Sequence, residues 1–324
     1  MGYSEFVLIL GGEEMRTHVS SKLVATVAAS AASVTSVGMV AAHAADAQVI
    51  DPAAVDSRIK IAFEGAVYQS NVDKLGGTSD KLGNGNDFGD LYGSVALTKQ
   101  ISSDVDWRLA GAFHAGQDND FSLSVPETSP DGTLALSFGN SYNFQTLDFD
   151  VGKHVQAQSA DIRFFGGLRL LHSKEELNFH EGFTPTDPAT DKTANADKLG
   201  SSEFYGIGPR IGAEVYYPLG ETWGLTGAVS GSAMWGRRTN KVSLTAFEHD
   251  PSNPPDTNVN VSESQHSSEV VTNIDLSGGV TFKPWENTTF TAGYRVEQWH
   301  NLLLLSDKST QTFNGPFLRL EVKM

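Results

Sequence analysis

Asp148-x-Asp150 sets two carboxylates on one face of an extended segment. At ~3.3 Å per residue they lie about 6.6 Å apart, a spacing that could activate a water. His180-Glu181 and His249-Asp250 each put an imidazole beside a carboxylate, the parts of an acid–base pair. Gly206-x-Gly208 with Gly212 has the glycine spacing of a dinucleotide loop, but Pro209 falls inside it and no helical pattern follows, so the required context is missing. No HExxH, GxSxG, Walker or EF-hand pattern occurs. The absence of cysteine removes thiolate nucleophiles, thiolate metal sites and disulfides together. Charged and solvated residues account for the carboxylate and histidine pairs at least as well as catalysis does. The expectation is a protein that is not an enzyme and holds neither cofactor nor metal.

The 324 residues carry 39 Asp+Glu against 23 Lys+Arg, a net charge of −16, which excludes a general nucleic-acid binder. The mean hydropathy of −0.24 would suit a soluble protein. It suits a transmembrane β-barrel equally, because lipid-facing and lumen-facing residues alternate along its strands.

Period-two alternation is what positions the charged residues. Ile59, Ile61, Phe63 and Val67 alternate with Lys60, Ala62, Glu64 and Tyr68; Leu91, Gly93, Val95 and Leu97 alternate with Tyr92, Ser94, Ala96 and Thr98; and Trp107, Leu109 and Phe113 alternate with Arg108, Ala110 and His114. Similar segments follow near 141–155, 160–172, 202–217, 222–237, 268–283, 288–300 and 313–324, for ten strands in all. The connections alternate between short, near 100–103, 156–159, 218–221 and 284–287, and long, near 70–88, 117–140, 173–201 and 238–267, with a modest one at 302–310. Tight turns at one end and long loops at the other are the pattern of an outer-membrane barrel, with the long loops extracellular. Phe121–Val125, Leu134–Phe138 and Val242–Phe247 read as hairpin extensions above the membrane; if they crossed it, the count would be twelve. The predicted fold is therefore all-β: a transmembrane antiparallel up-and-down barrel of about ten strands.

The start of the chain supplies an address. Arg16 and Lys22 precede an uncharged run from Leu23 to Ala42, and Ala42-His43-Ala44 is a cleavage signal, so residues 1–44 read as a signal peptide. Residues 1–14 read as a start-site extension, 45–57 as a periplasmic linker and 58–324 as the barrel. Trp223 and Trp235 share parity twelve residues apart. That is about 40 Å along a strand and about 30 Å of height at a tilt of roughly 40°, which brackets an apolar band about 25 Å tall. Trp107, Tyr217 and Trp285 complete an aromatic girdle at the short-turn end.

Placing Arg or Lys against mid-membrane lipid costs about 2–4 kcal/mol, so charged mid-strand residues must face the lumen. The pore-lining set is Lys60, Glu64, Arg108, Asp148, Asp150, Arg163, Arg169, Arg210, Glu214, Asp275, Arg295, Glu297, Arg319 and Glu321. These charges could line a polar path or pair across it and close it, and about ten strands is a size between a filled barrel and an aqueous channel. The acidic segment 173–201 could recruit divalent cations that bridge to lipopolysaccharide phosphates.

Five strings in the second half resemble the Legionella-type pore-forming major outer-membrane protein family: Phe144–Gly152, Phe165–Arg169, Gly206–Gly212, Gly293–Trp299 and Asn314–Leu320. The resemblance implies a pore-forming barrel in a Gram-negative outer membrane. The last strand keeps Gly315, Leu318, Leu320 and Val322 in the pattern of an assembly signal but ends on Met324, where such barrels usually carry Phe. The expected function is passive passage of small polar solutes or ions through a narrow charge-lined lumen. The alternatives are a closed barrel acting through its outer loops, as a structural protein or an adhesin, and then an outer-membrane hydrolase. The expected partners are outer-membrane lipid and lipopolysaccharide, the barrel assembly machinery and small solutes; the oligomeric state is left open.

Overall fold

The computed structural model describes residues 59–72, 89–116, 119–128, 131–186, 192–251, 255–304 and 309–324. The expected signal peptide and linker lie outside the described residues, as does most of the 70–88 connection. Among the described residues there is no helix. The strands are β1 (Ile59–Ser70), β2 (Asp90–Gln100), β3 (Val105–Ala115), β4 (Asn119–Thr128), β5 (Asp131–Ala157), β6 (Ala160–Pro185), β7 (Thr193–Pro218), β8 (Trp223–His249), β9 (Thr257–Trp285), β10 (Thr288–His300) and β11 (Thr310–Lys323).

All pairing is antiparallel between neighbours, and β1 pairs with β11, so the sheet closes on itself. Closure leaves no strand edge unpaired around the ring. Ten strands make the ring, because β3 ends at Ala115 and pairs with only the lower part of β5, Asn143–Lys153. The upper part of β5, Asp131–Asn140, pairs with β4, which stands above the ring as one arm of a hairpin. The expected ten-strand barrel with an extension over 117–140 is what forms.

The segment 173–201, read from sequence as a long loop, differs from that expectation, and in 238–267 the strands run beyond the expected extension at Val242–Phe247. β6 and β7 stay paired up to Phe183↔Ala194, and β8 and β9 up to Glu248↔Thr257. Above the aromatic ring both faces of these strands meet water, so alternation of polarity stops while hydrogen bonding does not.

The outer face carries the large apolar side chains. Phe63, Leu91, Phe113, Phe164, Leu168, Ile211 and Leu276 are each about half exposed, as a lipid-facing band requires. Two glycines are fixed by close approach of neighbouring strands. A Cβ on Gly208 would sit 1.7 Å from the Ala233 carbonyl oxygen, and one on Gly315 2.1 Å from that of Val67. The Gly206-x-Gly208 spacing is thus a packing feature of β7, not a phosphate loop.

Candidate functional site

The inward faces of the ten ring strands build the candidate site. At the short-turn end, Arg163 forks onto Asp106, with Nη2 2.6 Å from Oδ1 and Nε 2.9 Å from Oδ2. His154 bridges Asp106 at 2.8 Å and Asp161 at 3.0 Å, and Lys60 meets Glu321 at 3.4 Å.

Above this level the register places opposite charges side by side. Arg108 opposes Asp150 across β3 and β5, Asp148 opposes Arg169 across β5 and β6, and Arg163 opposes Glu214 across β6 and β7. Arg169 donates to both oxygens of Asp148 at 2.7 Å, the two-pronged geometry that suits a guanidinium. Arg210 donates to Asp150 at 2.5 Å, and Arg108 reaches Glu214 at 2.5 Å and Asp150 at 3.2 Å. On the opposite wall Glu64 receives both Arg295 and Arg319, the latter at 2.6 Å, and Arg295 also lies 3.5 Å from Asp275. Three guanidiniums, Arg108, Arg163 and Arg210, lie over the Phe165 ring at 4.7–5.1 Å from its centroid, a cation–π arrangement.

The structure therefore gathers the whole predicted lumen set inside the ring, and it pairs the set. Exposure varies within the set. Lys60 and Glu214 keep 39% and 30% of their side chains exposed, whereas Asp150 keeps none. A cavity of about 360 Å³ at the short-turn end, lined by Lys60, Arg108, His154, Arg319 and Glu321, adjoins one of about 150 Å³ bounded above by Phe144 and Trp299.

Sequence reasoning missed the next layer. Tyr68, Tyr142, Phe144, Phe204, Met234, Trp299 and Phe313 all point inward and are buried together. His114 stacks on Phe144 at 4.4 Å, Phe144 meets Trp299 edge-on at 5.1 Å, and His114 meets Phe313 at 4.5 Å. The β10–β11 connection adds to this layer. Asn301 turns the chain inward with φ of 60°, and Leu302 and Leu303 are buried in the aromatic cluster. Arg238, itself buried, holds that turn by donating to the Asn301 carbonyl at 2.5 Å and the Leu302 carbonyl at 3.3 Å, while its Nε meets Glu269 at 2.6 Å. The available signal was parity. Tyr68 shares its face with Glu64, Phe144 with Asp148, Phe204 with Arg210, and Trp299 with Glu297.

The loop pairs resolve differently from their spelling. His180 bonds to Asp197 and His249 to Asp256, each at 2.6 Å, rather than to Glu181 and Asp250. Neighbours along a strand face opposite sides, so Glu181 cannot serve His180. Lys192 takes Asp250 at 2.9 Å, and that carboxylate together with Glu248 holds its ammonium pKa above the usual lysine value. Asp148 and Asp150 are occupied by guanidiniums, and among the described residues no group of three metal-ligating side chains comes together.

On the outside, Trp223, Trp235, Trp285 and Tyr217 are 46–67% exposed, and Trp107 is half-buried. In the last strand Gly315 is buried, Leu318 and Met324 are exposed, and Leu320 and Val322 are intermediate.

A family described as the Legionella pneumophila major outer membrane protein precursor matches residues 80–324. Among solved structures, the chain is similar to a major outer membrane protein from Thermus thermophilus, 12% identical over 82% of this chain and 98% of that one, with a TM-score of 0.34. It is also similar to the outer membrane protease OmpT from Escherichia coli, 9% identical over 83% and 94%, with a TM-score of 0.38. The attachment invasion locus protein Ail of Yersinia pestis is 11% identical over 82% and 97%, with a TM-score of 0.25. No curated protein matches the chain closely enough to count as a relative.

Proposed function

From the premise that this chain belongs to the Legionella pneumophila major outer membrane protein family and lies in the bacterial outer membrane, we propose that it is a gated pore for small polar solutes or ions. The lower lumen supplies a charge-lined vestibule, and the aromatic layer holds it shut in the conformation described. One observation carries this reading: beside the aromatic side chains of the ring strands, the seal includes a short connection, Asn301–Leu303, that is folded inward and held by side-chain hydrogen bonds, those of Arg238 among them. A connection between two strands can yield without unfolding the ring. The reading gives the chain no catalytic role.

Single-channel conductance of the refolded mature chain, residues 45–324, tests it in a planar bilayer. Long closures with brief openings are expected, and Arg238→Ala should raise the open probability at least tenfold. Silence from both proteins, each shown to be folded, would reject the pore. That result would favour a closed barrel acting through its tall outer strands, a reading supported by the pairing of Arg163, Arg169, Arg210 and Arg295 with carboxylates.

A further inference from the structure

The lipid-facing side of β6–β9 carries a feature that neither the lumen nor barrel closure uses. Three cross-strand rows lie just above the outer tryptophan, Trp235. The lowest joins His172, Tyr205, Arg237 and Ser268; the next joins Lys174, Glu203, Thr239 and His266; the third joins Glu176, Ser201, Lys241 and Ser264. Arg237 and Lys241 are exposed on this face, and among the described residues neither has an acidic partner. The carboxylates of these rows are engaged elsewhere: Glu203 by His172 at 3.0 Å and the Tyr205 hydroxyl at 2.9 Å, and Glu176 by Lys174 at 2.7 Å.

Directly beneath these rows the outer wall of the barrel is hollowed. A groove of about 910 Å³ runs up to His172 and Tyr205, walled by Phe113, Leu147, Leu170, Ile207 and Trp235. Gly111 contributes no side chain to its floor, and a Cβ there would meet nothing within 4 Å. An apolar groove beneath a basic headgroup-level patch is complementary to one chemical class, an acylated lipid with phosphate on its headgroup. Arginine suits phosphate because its planar fork matches two phosphate oxygens.

We propose that this face is a binding site for a phosphorylated glycolipid of the outer leaflet, of the lipid A type, with acyl chain in the groove and phosphate on Arg237 and Lys241. Direct cation–phosphate contact replaces, at this position, the divalent bridging expected of the acidic outer segments. The site does not depend on whether the lumen conducts.

The test uses the full chain folded in detergent and native mass spectrometry to count bound lipid. The probes are bisphosphorylated lipid A, its dephosphorylated form and phosphatidylglycerol. One lipid A should bind at least tenfold more tightly than either of the other two. Arg237→Ala with Lys241→Ala should remove that preference, and Gly111→Leu should weaken lipid A even though the headgroup residues remain. Heat-modifiable migration on gels confirms folding of each variant. Undiminished binding to the double variant overturns the proposal, and equal binding of phosphatidylglycerol overturns the assignment to a glycolipid.

Discussion

Asp150 shows how far a single interior carboxylate is committed. It is fully buried and receives Arg210 and Arg108 from two different strands. Removing one partner of a buried ion pair leaves an uncompensated charge, which costs about 3–5 kcal/mol. Asp150→Asn should therefore lower the stability of the refolded barrel by that amount, read from its urea unfolding curve. Replacing both members of the neighbouring pair, Asp148→Leu with Arg169→Met, removes both desolvated charges and should cost far less. Equal losses in the two variants would mean that these charges act through shape rather than pairing. At this scale the sequence was legible wherever charge decides the face, because an arginine in mid-strand has only the lumen to occupy. It was not legible for Tyr68, Phe144 or Trp299, since an aromatic ring is stable against either lipid or a packed interior. It was silent on the partners of His180 and His249, which come from across the sheet and across a turn rather than from the next residue.

The strands themselves were readable between the two girdles and only in part above them, at Phe121–Val125, Leu134–Phe138 and Val242–Phe247. Between Trp223 and Trp235 one face must be apolar, so period two is enforced; beyond Arg237 it is not, and β8 nevertheless runs on to His249. The closing strand, β11, is where an element-level change should matter most. Its Gly315 sits so close to β1 that a Cβ would lie 2.1 Å from the Val67 carbonyl oxygen. Gly315→Ala must push β1 and β11 apart at the seam, an overpacking cost of about 1–3 kcal/mol, and should reduce the heat-modifiable folded fraction in refolding. Wild-type yield from that variant would show that the seam is compliant. At the other end of β11, Met324 exchanges both backbone hydrogen bonds with Ile59, at 2.9 and 3.0 Å. The strand is thus fully paired with Met324 in place, so a Phe at this position adds nothing to backbone pairing. Met324→Phe should raise the amount of folded protein in the outer membrane while leaving the unfolding midpoint of purified protein unchanged.

Across the whole barrel the alternation of short and long connections foretold a closed ring, because it follows from local spacing. How the ring is filled did not follow, since the seal brings together residues from β1, β5, β7, β8, β10 and β11 whose sequence separations carry no common signal. The ring and the tall extensions above it are separable in the pairing pattern. Closure is made by rows below Arg238, and the rows from Val242↔Glu263 up to Glu248↔Thr257 join only β8 to β9 and β8 to β7. Replacing residues 242–263 with Asn-Gly would connect Lys241 to Ser264 through a two-residue turn of the kind that hairpins favour. Such a chain should still fold to a heat-modifiable barrel, with its thermal midpoint within a few degrees of the parent. Arg238, the Asn301–Leu303 turn and the Arg237–Lys241 face all remain, so the conductance and lipid-binding behaviour should survive the truncation as well. If the shortened chain failed to fold, the outer strands would be the nucleus from which the ring closes rather than an appendage of it. The division between barrel and extension would then be one of position alone.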